Sequence, residues 1–156
     1  MNDQKSSHFG FRSVPASDKA LMVDRVFSSV SARYDLMNDL MSLGLHRIWK
    51  RKFLNSLKPN PDKRLLDVAC GTGDIGLRFI AGGGRHVTAC DRNPKMIQVG
   101  RNRAIDKGIN SGIRWVVGDA EALPCSDASV DVYTIVFGLR NVARIDFALS
   151  EIGRAS

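Results

Sequence analysis

The chain has 156 residues, which leaves room for one domain and little more. Apolar residues make up 44% of the chain and charged residues 25%, a balance that is typical of globular proteins and excludes a disordered chain. No apolar stretch approaches the roughly 18 residues of a membrane span, and the polar first residues do not resemble a secretory signal. We therefore expect a cytoplasmic protein.

The net charge of +7 is concentrated in the first part of the chain. Residues 1–64 contain twelve Lys or Arg against six Asp or Glu, including the basic residues Arg47, Lys50, Arg51 and Lys52. Nucleic acid or an anionic membrane surface would explain this excess, and so would a solvated helix face without a partner.

The cysteines form neither a C-x-x-C pair nor a zinc-site spacing, so we expect small buried side chains and no metal.

The first 60 residues divide into a tail and a helical region. Residues 1–17 are polar and rich in serine and predict a flexible tail. Apolar residues at helical spacing predict three helices over residues 18–60, of which the second spans Arg33 to Leu43 and the third His46 to Leu57. Pro59 and Pro61 end this region.

Residues 61–156 alternate between strands and helices. Four apolar runs predict strands at residues 65–69, 86–90, 113–117 and 130–137. Helices are predicted after the first strand through Phe79, from Pro94 in the first helical position, and from Ile145 to Ile152. Such alternation is typical of βαβ units and predicts an α/β domain built on a parallel sheet.

A glycine-rich loop follows the first predicted strand. The run Gly71-Thr72-Gly73-Asp74-Ile75-Gly76 satisfies G-x-G-x-x-G directly before a helix. Glycines of this kind let the backbone approach a ligand closely, and the helix N-terminus offers unpaired N–H groups. The pattern fits both dinucleotide oxidoreductases and nucleoside-binding methyltransferases.

Acidic residues at the predicted strand ends favour the second of these classes. Asp67 lies towards the end of the first strand, four residues before the first glycine, where a carboxylate could meet a cationic ligand. Asp91 follows the second strand, where it accepts ribose hydroxyls. Asp119 and Ala120 follow the third strand, where a carboxylate and a backbone N–H suit the edge of an adenine. Three carboxylates make a poor diphosphate site and a good site for a sulfonium nucleoside. The sequence therefore predicts S-adenosylmethionine as cofactor.

Several of these segments resemble known motifs. DVACGTGD, the acid Asp91 and GDAEALP are similar to the first three motifs of class I S-adenosylmethionine-dependent methyltransferases. The segment from Phe27 to Lys50 and the run FGLRNV from Phe137 resemble the UbiE-type quinone C-methyltransferases. The resemblance covers about residues 20–156. It implies a Rossmann-like sheet beneath an N-terminal helical cover, and methylation of demethylmenaquinol or of a polyprenyl-methoxy-benzoquinol.

The resemblance also implies roles by position. Contacts with the cofactor fall on Thr72, Asp91, Asp119 and Ala120, and Asp67 lies behind or beside the methionyl amine. Gly71 and Gly73 belong to the loop that binds the cofactor. This sequence departs from the family in two places, because Val136 stands where relatives often have serine and Ala69 replaces the first glycine of the commonest loop.

The strands supplied by this sequence are fewer than those of a whole class I sheet, whose order is 3-2-1-4-5-7-6. Strands one to four are present and five to seven are missing. We therefore expect a truncated member of the family that keeps the cofactor loops, is weakly stable and nearly inactive, and associates through strand four.

Methylation of a quinol carbon needs the ring to be aligned with the methyl group and its phenolic oxygen to lose a proton. This chemistry needs no metal. We expect Arg140 to stabilise the phenolate, with Asn141 and Tyr34 orienting it. A surface charge at Arg140 and a packing role for Tyr34 are the alternatives.

A prenylated quinol is insoluble in water, so the basic N-terminal helices suit docking at the inner face of a membrane. We expect contacts with this substrate and with a membrane surface, and also with a second copy or with other quinone-biosynthesis proteins. Nucleic acid fits less well, because the basic stretch lacks interleaved aromatic residues. A methyltransferase of RNA and a nicotinamide-dependent oxidoreductase are the alternative functions.

Overall fold

The computed structural model describes residues 6–9, 12–15, 45–136 and 138–156, and gives the backbone alone up to residue 50. The helices predicted between residues 18 and 43, and with them Tyr34, lie outside the described residues. The described elements, in chain order, are β1 (Ser6–Phe9), β2 (Arg12–Pro15), α1 (Leu45–Leu57), β3 (Arg64–Val68), α2 (Asp74–Ala81), β4 (His86–Asp91), α3 (Pro94–Asp106), β5 (Ile113–Val117), β6 (Val132–Thr134), a 3-10 turn (Leu139–Asn141) and α4 (Ile145–Ala155).

Strands β3 to β6 form a four-stranded sheet in the order β5-β4-β3-β6, and each pairing is parallel. This order equals 3-2-1-4 when these strands are counted from β3, so the predicted Rossmann-like arrangement of the first four strands is confirmed. Because the strands are parallel, their carboxyl ends meet at one edge of the sheet. The ends of β3 and β4 pair Val68 with Cys90, and the ends of β4 and β5 pair Asp91 with Val117.

The segment for which the sequence predicts a flexible tail contains a second, smaller sheet. Strands β1 and β2 pair antiparallel, from Ser6 opposite Pro15 to Phe9 opposite Arg12. The serine-rich composition does not predict this pairing, because an antiparallel ladder is formed by backbone N–H and C=O groups, which every residue except proline supplies in full.

Strand β6 is shorter than the predicted strand at residues 130–137. It pairs with β3 only from Val132 to Thr134, where Thr134 lies opposite Asp67. Before it, the Asp131 carboxylate accepts hydrogen bonds from the backbone and the guanidinium of Arg64, at 2.8 to 3.0 Å. After it, the chain leaves the ladder for the 3-10 turn, so the apolar residues at 135 and 136 pack without strand pairing.

The two faces of the sheet carry different helices because strand side chains alternate between faces. Leu65, Val87 and Ala89 face one side, where they pack with Ile75 and Phe79 of α2. Leu66, Val68 and Cys90 face the other, together with two alanines of α4. Leu54 of α1 belongs to the first of these clusters, so the third predicted helix adds to the core.

The predicted proline at a helix start is confirmed in α3. Pro94 is its first residue, and the Asn93 side chain caps the helix by accepting from the N–H groups of Lys95 and Met96. In the described ranges no helix is both long and apolar enough to cross a bilayer.

Candidate functional site

The glycine loop lies at the carboxyl edge of the sheet, between β3 and α2. Ala69, Gly71 and Gly73 all have positive φ angles, of 50°, 56° and 75°. At Gly71 a Cβ would meet nothing within 4 Å, so the backbone there borders open space. At Gly73 a Cβ would lie 2.4 Å from the Trp115 ring, so this position excludes any side chain. The loop therefore exposes bare backbone at Gly71, whereas the Trp115 indole packs against it at Gly73.

Asp91 links the glycine loop to the end of β4. Its carboxylate accepts the Gly71 N–H at 2.7 Å through Oδ2 and the Asn93 N–H at 2.9 Å through Oδ1. The backbone of β4 continues the connection, because the Asp91 carbonyl accepts from Gly118 at 3.0 Å. The residue predicted to hold ribose therefore also holds the shape of the loop, and a carboxylate accepts up to about four hydrogen bonds.

Asp67 is almost fully buried at the end of β3, with 1% of its surface exposed. Its Oδ1 accepts from the Thr134 hydroxyl at 2.7 Å, which joins β3 to β6. Its Oδ2 is buried and makes no hydrogen bond of ordinary geometry within the described part of the chain. Burial raises the pKa of Asp67 to about 7, although the hydrogen bond from Thr134 and the nearby Gly76 N–H oppose this rise.

Asp119 and Ala120 lie just beyond β5, as the sequence predicts. Asp119 accepts the Glu121 N–H at 3.0 Å, and its other oxygen lies 3.5 Å from the Arg92 guanidinium. Ala120 is buried against Leu66, Val68 and Cys90 in the second core cluster. The structure therefore brings Asp119 beside a cation that the sequence analysis did not assign to the site.

Thr72 is buried, and its hydroxyl oxygen accepts a hydrogen bond from the Arg103 guanidinium. The same guanidinium lies 4.0 Å from Asp74. Thr72 is thus held by helix α3, and its hydroxyl proton is left to donate to a ligand. The sequence does not predict this role of Arg103, because its long side chain reaches Thr72 from a helix that is remote in sequence.

The residues predicted for catalysis divide between described and undescribed parts of the chain. Arg140 and Asn141 lie in the 3-10 turn after β6, with Arg140 exposed and Asn141 half-buried. This turn lies against the glycine loop, because a Cβ on Gly138 would come within 2.3 Å of the Ala69 Cβ. The geometry thus brings the turn to the same edge as the three aspartates.

Helix α4 fixes the segment that carries Asp119 and Ala120. Glu121 accepts from both the backbone and the guanidinium of Arg144, at 2.9 and 2.7 Å. Arg154 donates to the carbonyls of Leu123 and Cys125 while it pairs with Glu151. Glu121, the second acid of the GDAEALP motif, thus anchors helix α4, a role that the motif alone does not indicate.

The cysteines are free thiols, of which Cys90 is buried and Cys70 and Cys125 are half-buried. Burial raises the pKa of Cys90 to about 12 and that of Cys70 well above its ordinary value, so these two thiols stay protonated at neutral pH. Over the described ranges, no group of three or more His, Cys, Asp or Glu side chains is arranged to hold a metal ion.

Solved structures share this architecture. A putative S-adenosyl-L-methionine-dependent methyltransferase from Methanococcus maripaludis superposes with a TM-score of 0.64 over 95% of this chain and 63% of its own, at 16% identity. The fold is thus that of the Rossmann-like class I methyltransferases, with the glycine loop and three strand-end aspartates at the predicted edge.

The chain belongs to the ubiE/COQ5 methyltransferase family, whose model matches residues 9–155. The family match confirms the predicted class, S-adenosylmethionine-dependent methyltransferases. Curated relatives named ubiquinone/menaquinone biosynthesis C-methyltransferase UbiE are 52% identical in Rhodopseudomonas palustris and 53% identical in Bradyrhizobium diazoefficiens, each over 96% of this chain. The chain spans 61% of the length of both relatives.

Proposed function

We propose that this chain binds S-adenosylmethionine at the carboxyl edge of its sheet and serves the C-methylation of a prenylated quinol. The observation that carries the first half is the set of aspartates at the ends of three neighbouring strands around an open glycine backbone. The second half rests on the relatives, whose names assign them to ubiquinone and menaquinone biosynthesis.

The residues of this edge fit the proposed cofactor in two respects. The bare backbone at Gly71 leaves room for a ligand where any Cβ would otherwise project. The buried Oδ2 of Asp67 makes no hydrogen bond of ordinary geometry in the described ranges, and a buried carboxylate oxygen that lacks one favours a cationic neighbour. A diphosphate would instead bring further negative charge to Asp67, Asp91 and Asp119, which is unfavourable.

Each residue of the edge has a separate task in this proposal. S-adenosylmethionine, when bound, supplies a methyl group on a positively charged sulfur. Asp91 accepts the ribose hydroxyls, Asp119 and the Ala120 backbone hold the adenine, and Asp67 faces the positive charge of the methionyl part. The Thr72 hydroxyl proton and the loop backbone complete the contacts. Together these groups fix the orientation that an in-line transfer to carbon requires.

Arg140 is the residue to which we assign stabilisation of the quinol oxygen as it loses its proton. Arg140 is exposed in a turn that packs on the glycine loop at Gly138, and its guanidinium carries a permanent charge and presents several donors to an oxyanion. Asn141 follows it in the same turn and orients the oxygen, and Tyr34 has the same task in the proposal.

We also propose that the basic helix α1 contacts an anionic membrane surface, from which the prenylated quinol is collected. Arg51 and Lys52 are exposed on this helix, whereas Leu54 is buried in the core. Exposed basic side chains are attracted by the negative surface potential of anionic lipid, which supports a surface role for these charges.

Calorimetric titration with S-adenosylhomocysteine and with NADH tests the cofactor assignment. We expect heat of binding with the first ligand and none with the second. Binding of NADH alone would favour the oxidoreductase alternative. In parallel, methylation of a demethylmenaquinol analogue and of a tRNA is compared, and methyl transfer to the tRNA alone would contradict the quinol assignment.

A further inference from the structure

We infer that Trp115 is a positioning residue whose indole ring holds the glycine loop in the conformation that receives the cofactor. The inference rests on the proposed function, because it concerns the loop to which S-adenosylmethionine is assigned. Trp115 is the third residue of β5. This strand lies next to β4 and is separated by it from β3, the strand that the glycine loop follows. It is not among the residues for which the sequence predicts a role.

The ring fills a slot between two glycines that belong to different elements. A Cβ on Gly73, at the start of α2, would lie 2.4 Å from Cη2 and 2.7 Å from Cζ3 of the indole. A Cβ on Gly100, within α3, would lie 2.4 Å from Cζ3 and 2.7 Å from Cη2. The same edge of one ring therefore excludes side chains at both positions.

Gly100 has no backbone reason to be glycine. It lies inside a helix and is not among the residues with positive φ, and glycine in a helix interior is less stable than alanine. The indole accounts for its identity, and so does the loop itself, because a Cβ on Gly100 would also lie 3.2 Å from the Thr72 carbonyl oxygen. Helix α3 thus approaches the loop closely only while position 100 lacks a side chain.

A second contact fastens the same stretch of loop to α3. Arg103, one helical turn beyond Gly100, donates to the Thr72 hydroxyl. The loop therefore has two lateral supports, one from α3 at Thr72 and one from β5 at Gly73. A loop that already holds its ligand-ready conformation binds more tightly than one that reaches it part of the time, in proportion to that fraction.

A double-mutant cycle between Gly100→Ala and Trp115→Leu tests the slot. Gly100→Ala alone is expected to destabilise the fold and to weaken S-adenosylhomocysteine binding by about tenfold, the effect of a loop that is competent a tenth of the time. In the Trp115→Leu background the same change meets only the Thr72 carbonyl, so its added effect on unfolding is expected to be much smaller. Additive effects on unfolding would overturn the inference.

Two control variants separate positioning from ordinary packing. Gly153→Ala makes the same substitution in helix α4, where a Cβ meets nothing within 4 Å. This variant is expected to lower neither the stability nor the affinity for S-adenosylhomocysteine. Phe79→Leu truncates a fully buried ring of the same core cluster that lies away from Gly73. We expect Trp115→Leu to accelerate amide hydrogen exchange across residues 71–74. We expect Phe79→Leu to leave these amides protected when the two variants have lost the same amount of stability. Equal exchange in both variants would overturn the inference.

The design keeps the two proposals distinguishable. Exchange and unfolding need no ligand, so they decide the role of Trp115 whether or not the cofactor binds. If the wild-type chain itself binds no S-adenosylhomocysteine, the proposed function fails instead.

Discussion

Burial of Asp67 makes the stability of the chain depend on pH in a defined direction. Its pKa rises from 3.8 to about 7 on folding, so the native state binds a proton more tightly than the unfolded chain does. Stability contributed by the protonated form is therefore present at low pH and is lost as pH rises from about 4 to about 7. Above pH 7 the loss levels off, because the carboxyl is then ionised in both states.

The size of this loss follows from the same pKa values. The shift spans about three pKa units at about 1.4 kcal/mol each, so the ionised carboxyl costs about 4 kcal/mol at pH 8. About 2 to 3 kcal/mol of it is lost between pH 5 and pH 8, which is a large share of the 5 to 15 kcal/mol typical of a domain.

Asp67→Asn isolates this contribution, because asparagine keeps an oxygen that accepts from Thr134 but does not titrate. Urea unfolding at pH 5, 6, 7 and 8 gives the free energy of unfolding of both proteins. We expect their difference to change by about 2 to 3 kcal/mol over this range in favour of the variant. Parallel profiles for wild type and Asp67→Asn would refute the reasoning.

Three further predictions concern the proposed site. Asp91→Ala removes two charge-assisted bonds to ribose and the support of the Gly71 N–H, so calorimetry should give S-adenosylhomocysteine binding weaker by about a hundredfold or more, and a loss within twofold would contradict the ribose assignment. Arg140→Ala should leave this binding nearly unchanged and lower the rate of quinol methylation; equal losses in both would make Arg140 structural. Replacing Arg51 and Lys52 by glutamine should reduce sedimentation with anionic liposomes, most strongly at low salt, and stronger competition by tRNA than by liposomes would contradict the membrane assignment.

The sheet could be predicted from the sequence because its signals are local. Short apolar runs separated by glycine and proline define strands and helix starts, and parallel connections allow few arrangements. The sequence predicts a fourth strand that is too long, because an apolar run indicates that its residues are buried. It does not indicate whether they are buried in a strand or in a packed turn. The chain leaves the ladder after Thr134, and the turn that follows packs Gly138 on Ala69.

The candidate site could be predicted in outline but not in its supports. Asp67, Asp91 and Asp119 can be predicted from their positions, because each lies near or just beyond the end of an apolar strand. Their partners cannot, since a long arginine side chain reaches across several ångströms to a residue that is remote in sequence. Arg103 on Thr72 is an example, and the fit of Trp115 between two glycines depends on distances that only the folded chain defines.

A crystal structure of this chain with S-adenosylhomocysteine tests the proposed cofactor site. We expect the nucleoside at the carboxyl edge of the sheet, with its ribose hydroxyls on Asp91, its adenine beside Ala120 and its amino-acid part along the Gly71 backbone towards Asp67. Ligand bound at any other edge or face of the sheet, or a loop at residues 69–73 that remains empty at saturating ligand, would contradict it.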